Sequence, residues 1–356
     1  MSNFEYLEKR YTDFWNLENY DRPLMCVCAQ VETPLPYIMA PDSLLEKWED
    51  LDYILASSVR RIENTYYGGE AVPVFDPNFG PDILGAIAGC EIEYGANTSW
   101  AVHNVGDWEQ HPALEFDENN RWWKKLEELT KVVAENASGR YLTAITDLHP
   151  GTDGLVSLRG PEGLCYDLID CAEQVHLRIS QLFDIYTEVY TRLDAIISAH
   201  QKGTINWSTV WHPNKKWYMT SSDFSCMVNS DDFEEFVVPG LTKEHEFLDA
   251  AIYHLDGPDA LRHLDRILEL PGLDGVQWVP GAGQHGALHW IPVYKKIQDA
   301  GKIVLASCRA DEVGALCAEL NPEGVHLFVE GCKKQSDVND LLKLAERETR
   351  ARMKAL

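Results

Sequence analysis

An apolar run, Ala250-Ala-Ile-Tyr, ends in His254-Leu-Asp256-Gly257. Side chains alternate along an extended strand, so His254 and Asp256 emerge on one side and can reach one ion or one substrate. A metal-ligand pair is one reading; a hydrogen-bonded corner, with the imidazole bonded to a carboxylate of the sheet, is the other. Cys332, in Val329-Glu-Gly-Cys332 with Glu330 nearby, is the candidate third donor. Imidazole, carboxylate and thiolate make an acceptable zinc set with a fourth position open to substrate. Zinc there lowers the pKa of a bound thiol or water and generates a nucleophile at neutral pH. In the competing reading Cys332 is an ordinary surface-loop thiol.

The elements that must carry these residues are strands alternating with helices. Short apolar β-like runs occupy residues 24–31, 71–76, 141–148, 205–212, 222–228, 250–256, 275–279, 302–308 and 325–330. Helical patterns cover 161–185, 230–248, 258–270, 287–300, 311–320 and 336–353. Wholly apolar strands separated by helices imply a parallel sheet covered by helices. Merging 205–212 with 222–228 as one strand and its loop leaves an eightfold (β/α) TIM barrel with an N-terminal helical extension, one domain over 1–356. A doubly wound open sheet is the alternative, but no strand is followed by a G-x-G-x-x-G or P-loop pattern.

In such barrels chemistry sits at the carboxyl ends of the strands. Asp76, Asp223 and Glu330 are expected there as catalytic carboxylates, with Asp147, His149, His212, Tyr218, Ser225, Gln277 and Trp278 as substrate contacts. His254, Asp256 and Cys332 are the metal candidates. Trp207, Trp211, Trp217 and Tyr218 read as an aromatic loop over the mouth, suited to a substrate with a planar, methyl-bearing or quaternary ammonium part. Trp122 and Trp123 read as a helix docking on the wall. Asp147-Leu-His149 and His285 with His289 form two further pairs, each without an evident third ligand.

Composition narrows the partners. The 356 residues are 45% hydrophobic and carry 31 Lys and Arg against 57 Asp and Glu, a net charge of -26. Such a field repels phosphate backbones and anionic lipids, so nucleic acid and membrane partners are disfavoured and a small-molecule substrate is expected. The first residues lack the basic start and apolar core of a secretory signal, and a cytoplasmic location is expected. Nine scattered cysteines argue for reduced thiols, with Cys26 and Cys28 read as core. A homodimer is left open.

Three stretches resemble the uroporphyrinogen decarboxylase superfamily, which includes that decarboxylase and the zinc-dependent methyltransferases of corrinoid systems. Ser157-Leu-Arg-Gly-Pro-Glu-Gly-Leu-Cys-Tyr-Asp-Leu168 is similar to the family's G-P-x-x-x-A strand-to-helix turn. The stretch from Ser222 to Leu241 is similar to its fourth strand and following helix, and His254-Leu-Asp-Gly257 stands where the methyltransferases show His-x-Cys-Gly. The decarboxylase's arginine-rich N-terminal motif is missing; the region reads Arg22-Pro-Leu-Met-Cys-Val-Cys-Ala-Gln30. Asp76 falls where that branch keeps its catalytic aspartate. The methyltransferase branch fits better, with His254 on its zinc histidine, Asp256 in place of its first cysteine and Cys332 on its second. The resemblance implies zinc and methyl transfer between a small methylated substrate and a corrinoid carried by a partner protein. A metal-free decarboxylase or lyase of an organic acid, a hydrolase using zinc-bound water, and a non-catalytic small-molecule-binding barrel remain as alternatives.

Overall fold

Apolar strands buried on both faces have to stack side by side under helices, and they do so in a computed structural model that describes residues 3–355. The strands in chain order are β1 (Leu24–Gln30), β2 (Thr65–Gly69), β3 (Val74–Phe75), β4 (Glu91–Tyr94), β5 (Ser99–Val102), β6 (Leu142–Thr143), β7 (Thr204–Ile205), β8 (Trp211–His212), β9 (Trp217–Ser221), β10 (Ala250–Asp256), β11 (Leu273–Val279), β12 (Ile303–Arg309) and β13 (Val325–Glu330). A seven-stranded sheet runs in the order β2-β1-β13-β12-β11-β10-β9. All of its pairings are parallel except that of β1 with the edge strand β2. β3 pairs in parallel with β6, and a single parallel bridge joins Ile145 to Asn206 just past β7. No ladder links β1 to β3 or β7 to β9 among the described residues.

Both sheets nevertheless contribute to one interior. Along β10, Ala250 and Ile252 enter an inner cluster with Leu24, Ala144, Ile205, Met219, Ile303 and Leu305, while Ala251, Tyr253 and Leu255 pack outward among the helices. His254 and Asp256 continue the inward series. Leu7, Tyr11 and Phe14 of helix Asn3–Trp15 join the inner cluster beside Leu24, and Trp15 Nε1 donates to the Trp211 carbonyl at 2.9 Å. Burying these three side chains contributes roughly 1.5–3 kcal/mol each. The N-terminal helix therefore closes the amino-terminal end of the strands and leaves the carboxyl end open.

A buried charge cluster fixes that helix. Glu70 is fully buried and accepts from Arg22 Nη1 and Nη2 at 2.8 Å each, Arg10 Nε at 3.0 Å, Tyr6 Oη at 3.0 Å and the Met25 amide at 3.0 Å. Burial alone raises a carboxyl's pKa, but Arg22 and Arg10 outweigh it and lower Glu70 to about 2.

Four features differ from the sequence reading. Residues 205–212 and 222–228 are not one strand: β7 and β8 form a small antiparallel hairpin, and Asp223–Met227 is a 3-10 turn. The strand between them is Trp217–Ser221, whose five residues are all buried and so show no alternation of polarity. The Gly160-Pro161 turn joins helix Gly151–Arg159 to helix Pro161–Asp170, with Gly160 at φ +83, and does not follow a strand. Trp211, Trp217 and Tyr218 are core residues and not a lid, whereas Trp122 and Trp123 are buried on helix Arg121–Ala137 as expected. Nor are the two N-terminal thiols both core, since Cys28 is exposed. All nine cysteines are free.

Candidate metal centre

β10 delivers His254 and Asp256 two residues apart on the inward face, and Gly257 at φ +80 turns the chain away directly after them. Their third companion is Asp223. One ligand atom from each of Asp223, His254 and Asp256 lies within 4.8 Å of the others. Cys332 stands outside this donor group; it is half-buried, and burial first, then Asp337, raises its pKa. Glu330, exposed at the end of β13, accepts from the Ala310 amide through its carbonyl and stays outside this donor group as well.

Neighbouring strands set the imidazole. His254 is level with Ser221 of β9 and Gln277 of β11. Its Nδ1 lies 2.6 Å from Gln277 Oε1, the distance of a hydrogen bond in which Nδ1–H donates to the amide oxygen. That leaves the Nε2 lone pair for a ligand, the outer-shell arrangement seen around metal-binding histidines. The Trp207 ring meets the His254 ring edge-on, 5.4 Å between centroids. Replacing Gln277 with leucine is expected to weaken metal binding by about 10–100-fold without removing a ligand, measured by competition with a zinc chelator.

Asp223 is held by a distant residue. The Asp153 carboxylate accepts from the Asp223 amide at 2.8 Å and the Phe224 amide at 2.9 Å, capping the turn Asp223–Met227 and aiming Asp223 into the mouth. Asp153 belongs to a chain of polar contacts. His149 Nδ1 is 2.7 Å from Ser221 Oγ, Ser221 Oγ donates to Asp153 Oδ2 at 3.4 Å, and His149 Nε2 is 2.7 Å from Asp147 Oδ1. The last contact is a close ion pair. Burial works to lower the His149 pKa, but Asp147, Asp153 and Asp223 outweigh it and raise it to about 10. Burial, followed by the charge of Asp147, pushes Asp76 up to about 7. His149, Asp153 and Asp223 line a cavity of about 310 Å³ with Asp82, Ser157 and Phe224.

The other expected contacts lie elsewhere or serve the framework. His212 sits on β8 at the amino-terminal end of the strands, its ring tilted against that of Trp15 with 4.7 Å between centroids, so the merged-strand reading placed it at the wrong end. Tyr218 faces outward onto Tyr186 and Tyr190, its Oη donating to the Thr146 carbonyl and accepting from the Leu148 amide, both at 2.6 Å. Trp278 also faces outward, against Trp290 at 5.0 Å. Ser225 is buried and offers its carbonyl to His263. Ser221 is the residue here that the sequence did not put at the mouth; Trp207, expected over it, lies against His254, and Asp153, a strand-end acid in the sequence reading, holds the Asp223 turn.

No family model and no curated protein matches the sequence. Among solved structures, the chain is similar to a methyltransferase from Methanosarcina mazei, with a TM-score of 0.63 and 13% sequence identity over 96% of this chain and 98% of that one. At that identity the likeness is one of fold. It extends over both chains nearly end to end.

Proposed function

We propose that this chain is a metal-dependent methyltransferase, in which His254, Asp256 and Asp223 hold zinc and a small methylated substrate gives its methyl group to a corrinoid carried by a partner protein. On this reading the two sheets are arcs of an eight-stranded barrel built from β1, β3, β6 and β9 to β13, with the site at its mouth. The observation that carries the proposal is the convergence of one imidazole and two carboxylates beside an open cavity, in a chain with the fold of a methyltransferase. One nitrogen and two oxygen donors suit zinc and make it harder than a thiolate-rich set does.

Zinc held there supplies Lewis acidity to the heteroatom that bears the methyl group. The chain's own residues do the rest. Gln277 keeps His254 in the tautomer that leaves Nε2 free, and Asp153 keeps Asp223 in place. His149, an imidazolium at neutral pH, faces the cavity and offers positive charge to the heteroatom. The methyl group leaves without its bonding electrons, the pair stays on the heteroatom, and His149 gives it a proton. Such proton transfer contributes about 10²–10⁴-fold.

The raised His149 pKa gives a pH test. Without metal the imidazolium is present below about 10; zinc on Asp223 offsets one of the charges that hold it up, so the zinc-loaded rate should fall on the alkaline side with a midpoint below that value. In His149→Gln the rate should be lower and that limb absent. Zinc-loaded protein incubated with reduced cobalamin and a series of methyl ethers, thioethers and amines tests the whole reading through the spectral change of cobalt methylation. A zinc-dependent rate with any of them supports it; no rate with all of them, or the same rate without zinc, contradicts it.

Asp76, held near neutrality beside Asp147, favours a second reading, a metal-free lyase in which Asp76 moves the proton. An acid-rich mouth suits a carboxylate substrate poorly, which places this reading second.

A further inference from the structure

We propose that the closed, amino-terminal end of the strands carries a second binding site, which takes a small monocarboxylate with an apolar or aromatic body. It lies at the far end of the strands from the metal donors and is defined without the methyl-transfer reading.

A cavity of about 530 Å³ opens there, larger than the one of about 310 Å³ at the mouth. Its walls come from the chain just ahead of three strands, with Val72 before β3, Arg140 before β6, and His200 and Lys202 before β7. Phe4 of helix Asn3–Trp15 and Trp211 of β8 complete it. The walls are pinned before any ligand arrives. Gln201 clamps the Thr143 backbone of β6, accepting from the amide at 2.7 Å and donating to the carbonyl at 3.1 Å. The Trp211 indole donates to the Lys202 carbonyl at 3.0 Å, and its ring meets that of Phe4 with 5.1 Å between centroids. A pocket already formed costs a ligand little ordering.

The lining chooses the ligand. Among the described residues no Asp or Glu lines the cavity, in a chain with 57 of them, whereas Arg140, His200 and Lys202 do. Lys202 has its counter-ion, since its Nζ lies 2.5 Å from the Glu8 carboxylate. Arg140 forms no ion pair among the described residues. Its Nη2 donates to the Asn136 carbonyl at 2.7 Å and to Asn136 Oδ1 at 2.6 Å, which anchors the guanidinium and leaves Nε and Nη1 without partners. Asp52 and Glu63 line a smaller hollow that Arg140 also borders, but neither pairs with it. One uncompensated cation matches one negative charge, and a guanidinium N–H makes its strongest hydrogen bonds to an anion such as a carboxylate. His200 adds a ring nitrogen beside it. The remaining walls, Phe4, Val72, Leu142 and Trp211, are apolar and suit a hydrocarbon chain or ring. A neutral ligand leaves the charge unused, and a bare inorganic anion leaves the apolar walls unused.

The test is a ligand-observed NMR titration of the full chain with hydrocinnamate, in parallel with hydrocinnamyl alcohol, which lacks the charge, and propionate, which lacks the ring. Hydrocinnamate is expected to bind with a Kd of about 1 mM or tighter, and about tenfold more tightly than either control. Arg140→Gln should weaken it by about tenfold, and Phe4→Ala by about three- to tenfold. Both side chains are exposed, so both variants should keep the wild-type thermal unfolding, measured on the same samples. His254→Ala should leave the binding unchanged, which separates this site from the metal donors. No binding at about 10 mM, or equal binding of either control, overturns the site. So does binding that Arg140→Gln and Phe4→Ala together leave undiminished. Binding lost in His254→Ala puts the carboxylate at the mouth and overturns it as well.

Discussion

His254→Ala is expected to strip the protein of its metal, with zinc affinity falling by about 100-fold or more and methyl transfer falling with it. The reason is the composition of the donor group: His254 is its only nitrogen ligand, between two carboxylates that bind zinc less selectively. The cavity it leaves is small, and Ser221 and Gln277 on either side stay in their strands, so the fold should hold. Chelator competition reads the affinity and thermal unfolding of the metal-free forms reads the fold. A metal-free variant that unfolds like metal-free wild type, combined with lost zinc, is the expected pair of results.

The largest effect on stability is expected at the opposite end of the strands. Glu70→Ala leaves Arg22 buried without its close carboxylate and Arg10 with only the exposed Asp21, at a cost of about 3–5 kcal/mol, measurable by denaturant unfolding. Glu70 also makes stability depend on pH. Its folded pKa is lowered to about 2 from an ordinary value of 4.5, so its contribution is present above 4.5 and is lost as the pH falls through about 2. The acid-side loss in wild type should be shallower in Glu70→Gln, which cannot titrate. Because the cluster joins helix Asn3–Trp15 to β1 and β2, the variant should loosen the closed end and leave the metal donors in place.

Sequence made the centre of the site legible because local geometry determines it. His254 and Asp256 share a face for the simple reason that strand side chains alternate, and an apolar run bounded by glycine shows where the strand stops. Their third donor was not legible in the same way. Asp223 reaches them only because Asp153, 70 residues earlier, caps its turn, and no spacing rule reports so distant a contact. Asp256 is the last residue of β10, whereas Cys332 lies two residues past the end of β13, where the loop's path decides which side chain reaches the mouth. The same limit explains His212 and Tyr218. β7 and β8 are two residues long each, and β9 is buried on both faces, so none shows a period. The parallel order of β9 to β13 and β1 followed from the alternation of apolar strands with helices; the edge strand β2 and the hairpin β4–β5 did not, because they are short and partly polar.

The central claim is that Asp223, and not Cys332, completes the metal centre with His254 and Asp256. Elemental analysis of untagged protein purified without chelator and supplied with zinc tests it most directly, for wild type, Asp223→Asn and Cys332→Ser. Near-stoichiometric zinc in wild type and in Cys332→Ser, with little in Asp223→Asn, is the predicted result. Zinc lost in Cys332→Ser but kept in Asp223→Asn, or none taken up by wild type, would contradict it.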